Sequence, residues 1–214
     1  MKKLVLIIGI IVAGFSLQAQ NQQAYINAMA KGLSSLGSAQ SLEEFQSVAG
    51  QFERIAANVQ DQWHPQYYAA LTYINMSFRV EGIDKKDQLT DQAQPFIDKA
   101  LALSPNNAEI IALQGYKYMI ELSADPSTRG QLLSQKAMQQ FGKALTIDPN
   151  NPRANTFLAQ MEMGMAQFFG SPTDKACERA QQALDQFDGQ SEEQSFDPKW
   201  GKEMVAGLIQ QCGQ

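Results

Sequence analysis

Residues 93–107, AQPFIDKALALSPNN, decide how the chain folds, because residues 137–151, AMQQFGKALTIDPNN, repeat their pattern 44 positions later. Ala93, Ile97, Ala100, Leu101 and Pro105 align with Ala137, Phe141, Ala144, Leu145 and Pro149. A third copy, Ala176, Ala180, Ala183 and Leu184, follows after a further 39 positions, with Asp188 where the proline would fall. Spacings of three and four place these residues on one helical face. The small alanines let a neighbouring helix approach closely, and the larger residues between them fill the gap. Proline then ends each helix, because it cannot continue the hydrogen-bond ladder. Asn107 and Asn151 suit the N-caps of the helices that follow, and Pro152 fits a first helical position, where its missing N–H costs nothing.

This pattern resembles the second helix of the tetratricopeptide repeat (TPR) family, whose units are antiparallel helix pairs with a period of about 34 residues. The first-helix signature is partial. Ile111-x2-Gln114-Gly115-x2-Tyr118 keeps the small residue and the tyrosine, Asn155-x2-Leu158-Ala159 keeps the leucine and a small residue, and Tyr68-x2-Leu71 keeps the front alone. The periods are long for the family, and the excess falls around Glu81 to Lys86, Ala124 to Gly130 and Gly170 to Thr173. The resemblance covers residues 63–188 and implies an all-α, TPR-like α-solenoid of antiparallel helix pairs with helical caps. Pro95 lies inside the first copy, where a kink or a late helix start is expected.

The flanks read as the caps that a repeat stack needs to cover its terminal core faces. Residues 20–62 form an N-terminal helical pair: Ala24, Ile26, Ala28, Met29, Leu33 and Leu36 make one amphipathic segment. In the other, Ser41-x-x-Glu44 is a capping box before Phe45, Val48, Phe52, Ile55 and Ala56. Residues 189–214 read as a polar linker and a capping helix, with Asp197 as cap, Pro198 at the start and Trp200, Met204, Val205, Leu208, Ile209 and Cys212 on its apolar face.

Residues 1–19 read as a secretory signal peptide: Lys2 and Lys3, the apolar run Leu4 to Phe15, then Ser16-Leu17-Gln18-Ala19 before the cut. That run is 12 residues, short of the roughly 20 that span a bilayer as a helix. The expected location is periplasmic or secreted, with no transmembrane segment in the mature chain. The formal charge is −5, or −7 once Lys2 and Lys3 are removed. Nucleic-acid binding draws on clustered basic charge, so nucleic acid is not an expected partner. Export permits a disulfide between Cys177 and Cys212, which lie on the apolar faces of their two helices; the alternative is two small buried thiols.

Little in the sequence points to chemistry. His64 is the one histidine and no Cys-x2-Cys occurs, so neither a metal site nor a cofactor is expected. Glu43-Glu44 and Glu192-Glu193 are sequence neighbours, which on a helix point in different directions and do not make a paired acid and base. No catalytic residue is assigned. A more informative stripe runs along the first helices of the pairs: Tyr73, Tyr116 and Gln160 are equivalent, and three residues later come Met76, Met119 and Met163. The resemblance places this face in a concave groove that holds a peptide or a partner helix, a role that suits tyrosine and methionine. Recurrence at helical spacing equally describes core. The expected function is an exported, non-enzymatic scaffold that binds a protein or peptide partner, with self-association possible. The rival readings are an assembly subunit of an envelope complex and a carboxylate-based enzyme on a helical scaffold.

Overall fold

A computed structural model describes residues 2–191 and 195–212, with side chains from residue 20 onward. The side chains of residues 1–19, on which the expected signal peptide falls, therefore lie outside the described residues. Nine α-helices and no strand are present among those described: α1 (Lys2–Ser38), α2 (Leu42–Asn58), α3 (Trp63–Met76), α4 (Ile83–Leu103), α5 (Ala108–Ala124), α6 (Pro126–Ile147), α7 (Pro152–Phe169), α8 (Asp174–Asp188) and α9 (Lys202–Ile209). No helix among the described residues is long and apolar enough to cross a membrane. Each first helix packs on its own second helix, α3 on α4, α5 on α6 and α7 on α8, and the pairs stack in chain order. The fold is TPR-like.

The helix ends follow from local chemistry. Ser41 and Glu44 form the reciprocal capping box of α2. Asn107 accepts from the amides of Glu109 and Ile110, and Asn151 accepts from Ala154. Asp125 accepts from Thr128 ahead of Pro126, so the α5–α6 connection needs a single residue. The repeat lengthening is consequently built largely as helix rather than loop: α4 has 21 residues and α6 has 22. Pro95 neither delays nor interrupts α4, which begins at Ile83. It stands on the exposed side of the helix, as does Asp91 one turn before it.

The repeat alanines are the packing points. Ala93, Ala100, Ala137, Ala144, Ala180 and Ala183 are fully buried, with Ile97 and Phe141 between them. Gly115 has a more specific role: a Cβ there would come 2.4 Å from Phe141, so α5 and α6 approach at a distance that only glycine allows. Gly32 stands in the same relation to Phe52 in the first pair, at 2.9 Å.

The C-terminal segment departs from the expected cap. Asp197 and Pro198 do not start a helix; α9 begins at Lys202, after Gly201 at φ +106°. Residues 195–201 instead run as a non-helical strap across the first helices. Hydrogen bonds from Tyr68 and Arg153 to the Phe196 and Trp200 carbonyls hold them there, in competition with helical pairing. The Cys177 and Cys212 sulfurs are bonded, with a Cα–Cα distance of 5.7 Å, and fasten α9 to α8.

Candidate functional site: a first-helix face covered by the chain itself

Four first helices present side chains to the strap. Tyr25 of α1 meets the Phe196 ring edge-on at 5.5 Å, and His64 of α3 lies 6.2 Å from it. His64 Nε2 is 3.1 Å from Asp197 Oδ1, and the Tyr68 hydroxyl donates to the Phe196 carbonyl at 2.9 Å. Further along, the Trp200 indole N–H donates to the Tyr67 hydroxyl at 3.0 Å. The Trp200 ring lies 5.7 Å from Tyr116 of α5 and 6.0 Å from Phe157 of α7. Tyr116 and Phe157 are themselves stacked at 4.4 Å, and Phe78 extends the aromatic row at 6.4 Å from Tyr116.

A buried ion pair sits at the centre of this surface. Arg153, 2% exposed, makes a two-pronged bond to Glu109, with Nε to Oε2 at 2.5 Å and Nη2 to Oε1 at 2.7 Å. Asn151 donates to the same carboxylate at 2.6 Å, and the third arginine nitrogen donates to the Trp200 carbonyl at 2.9 Å. Burial alone would lower the Arg153 pKa, but the hydrogen bonds and charge of Glu109 outweigh it and leave it raised. Such a pair fixes geometry: removing Glu109 strands the Arg153 charge away from water, at a cost of about 3–5 kcal/mol.

Burial raises the hydroxyl pKa of Tyr67, Tyr68 and Tyr116, and the Glu109 charge adds to this at Tyr67. These phenols are neutral donors and acceptors at any ordinary pH. Burial also lowers the His64 pKa, against an opposing pull from Asp197. The Tyr25 hydroxyl and His64 Nδ1, both beside Phe196, are buried without a hydrogen-bond partner among the described residues.

The six residues of the expected groove stripe do not form one surface. Tyr73 points toward the second helices, donating to Glu53 of α2 at 2.5 Å and stacking on Phe96 of α4. Met76 is buried with Phe45, Ala49 and Leu89. Together Tyr73 and Met76 line a cleft between α2 and α4, away from the strap. Tyr116 does belong to the inner face but is 4% exposed, because Trp200 covers it. Met119 packs at the margin of the main core. Gln160, exposed, and Met163, buried, line a cleft between α7 and α9 with Glu203 and Met204. The strap, whose Trp200 lies over Tyr116, fills the middle of the face.

The sequence assigns no site role to Tyr67, Tyr68, Glu109, Arg153 or Phe157, with Tyr68 entering only as the front of a first-helix signature. The available signal was Phe196 and Trp200 standing in a polar stretch, and a lone arginine two residues past a helix cap. No group of metal-ligating side chains occurs among the described residues.

No protein-family model matches the sequence, and no curated protein does. Among solved structures, the chain is similar to the HusA haemophore from Porphyromonas gingivalis, with 28% identity and a TM-score of 0.78. That match covers 88% of this chain and 92% of the haemophore. A thermophilic TPR protein from Thermus thermophilus is 17% identical with a TM-score of 0.59, over 77% of this chain and 75% of that one. The latter supports the TPR-like fold.

Proposed function

We infer that the chain is an exported, non-enzymatic binding protein whose concave face holds an extended segment of a protein or peptide partner. One observation carries this reading. The face already binds a stretch of non-helical chain, meeting its main-chain carbonyls with Tyr68 and Arg153 and its aromatic side chains with Tyr25, Tyr67, Tyr116 and Phe157. Contacts to carbonyls suit any sequence, while the aromatic cleft selects among them. Residues 1–19 supply the export address, and a disulfide-bonded C-terminus agrees with an oxidising compartment. The test is affinity capture from the producing cell's envelope fraction, followed by hydrogen exchange on the complex. Protection should rise over α3, α5 and α7. A partner that protects only α4, α6 and α8 would place binding on the opposite face.

The likeness to a haemophore over nearly the whole chain favours a second reading, in which the cargo is a tetrapyrrole. His64, the one histidine, has Nε2 against Asp197, so this reading relies on aromatic side chains such as exposed Phe78, Phe168 and Phe169. Haem titration followed by absorbance decides it. A saturable spectral change retained in His64→Ala supports tetrapyrrole carriage, and an unchanged spectrum removes it.

A further inference from the structure

The strap is a single layer of chain with the properties of a bound ligand. Ser195, Asp197 and Lys199 are exposed, Phe196 and Trp200 are half-buried, and Pro198 is buried. Its main chain belongs to no helix or sheet and is held by side chains of the surface beneath it. Its anchors are spaced along a short motif. Phe196 lies between Tyr25 and His64, Asp197 faces His64, and Trp200 enters the cleft of Tyr67, Tyr116, Phe157 and Arg153. The receiving groups are organised independently of it: Arg153 is already fixed by Glu109, and Tyr116 is stacked on Phe157.

We propose that residues 195–201 are an intramolecular ligand: they occupy the site where a partner's extended peptide docks, and that peptide carries an aromatic residue, an Asp-Pro pair and a tryptophan at the spacing of Phe196, Asp197, Pro198 and Trp200. This rests on the concave-face reading of function and adds its regulation. A tethered segment acts at a high effective concentration, on the order of millimolar for a short linker. The open face is thus a minor population, and a partner's apparent affinity is reduced by the fraction of molecules that are open. Weakening the strap raises that fraction and tightens partner binding, whereas truncating a side chain of the receiving face would weaken it.

The test uses the full mature chain with its disulfide intact and a fluorescein-labelled peptide of the sequence Ser-Phe-Asp-Pro-Lys-Trp-Gly, titrated by anisotropy. Trp200→Ala is expected to bind this peptide at least about tenfold more tightly than the parent does. A peptide with alanine in place of its tryptophan is expected to bind neither. Equal or weaker binding by a Trp200→Ala chain whose circular dichroism matches the parent overturns the proposal. Should Trp200→Ala lose its helical signal, Asp197→Ala replaces it. That variant removes only the exposed contact to His64, a gain of about threefold is expected, and no gain overturns. Hydrogen exchange on the parent with excess peptide gives an independent reading: residues 195–201 should lose protection, and bound peptide with the strap still protected overturns. If a captured partner protects α3, α5 and α7 while the peptide binds no variant, the intramolecular ligand is wrong and the concave-face reading stands. If it protects neither these helices nor the strap, both fall.

Discussion

Tyr116 belongs to the proposed binding face and to the interior at once. Its ring lies nearly parallel to Phe157, 12° apart, and Trp200 closes over it. Truncation to alanine should therefore cost the roughly 3–5 kcal/mol of a buried aromatic, and calorimetry should find Tyr116→Ala melting well below the parent. A melting temperature close to the parent's would mean that the strap leaves the ring solvated. His64 makes a second prediction. Its folded pKa lies below the ordinary histidine value because burial disfavours the charged form. Folding thus gains from neutral His64 above about pH 6.5, and loses that gain as pH falls toward the folded pKa. The melting temperature should decline between pH 7 and pH 5, with His64→Gln flattening the decline. The same slope in both proteins would assign the effect elsewhere. Both residues were visible in the sequence as members of first helices. Their cover was not, because nothing local to position 64 or 116 announces Phe196, Asp197 or Trp200.

At the level of helices, the alanine register does most to set the architecture. Ala100 and Ala144 are fully buried where second helices meet the rest of the stack, so leucine at either should overpack by about 1–3 kcal/mol, read as a lower denaturation midpoint. Gly115→Ala belongs with them, since its new methyl would meet Phe141 at 2.4 Å; parent-like stability there would show that α5 can shift from α6 freely. Because these constraints act between residues three and four apart, they are legible in a single sequence, as are the Ser41, Asn107 and Asn151 caps. Two features escaped that reading for the same reason. Residues 197–209 carry a helical cap signal and an apolar face, yet the first five do not join the helix, since distant hydroxyl and guanidinium groups hold the Phe196 and Trp200 carbonyls. The extra length of the repeats, placed by the sequence around Glu81 to Lys86, Ala124 to Gly130 and Gly170 to Thr173, is mostly helix, because Asp125-Pro126 starts α6 immediately after α5 ends.

For the molecule as a whole, the two cysteines join the last helix to the third pair. Closing a loop over a sequence separation of 35 should stabilise by roughly 3–4 kcal/mol in the chain-entropy description, and Cys212→Ser should lose about that much. Intact-mass measurement with alkylation on protein from an oxidising compartment should find no reactive thiol. Finding two would remove the bond. The same bond makes residues 177–212 a covalent ring that carries α8, the strap and α9. A protease that cuts the polar stretch between Gly189 and Ser195 opens the ring but discards nothing: the mass rises by one water, and two fragments separate only after reduction. In a compartment where proteases are common and reductants scarce, nicking alone therefore cannot shed the strap. A clipped molecule keeps its own segment tethered to the face, now by one end.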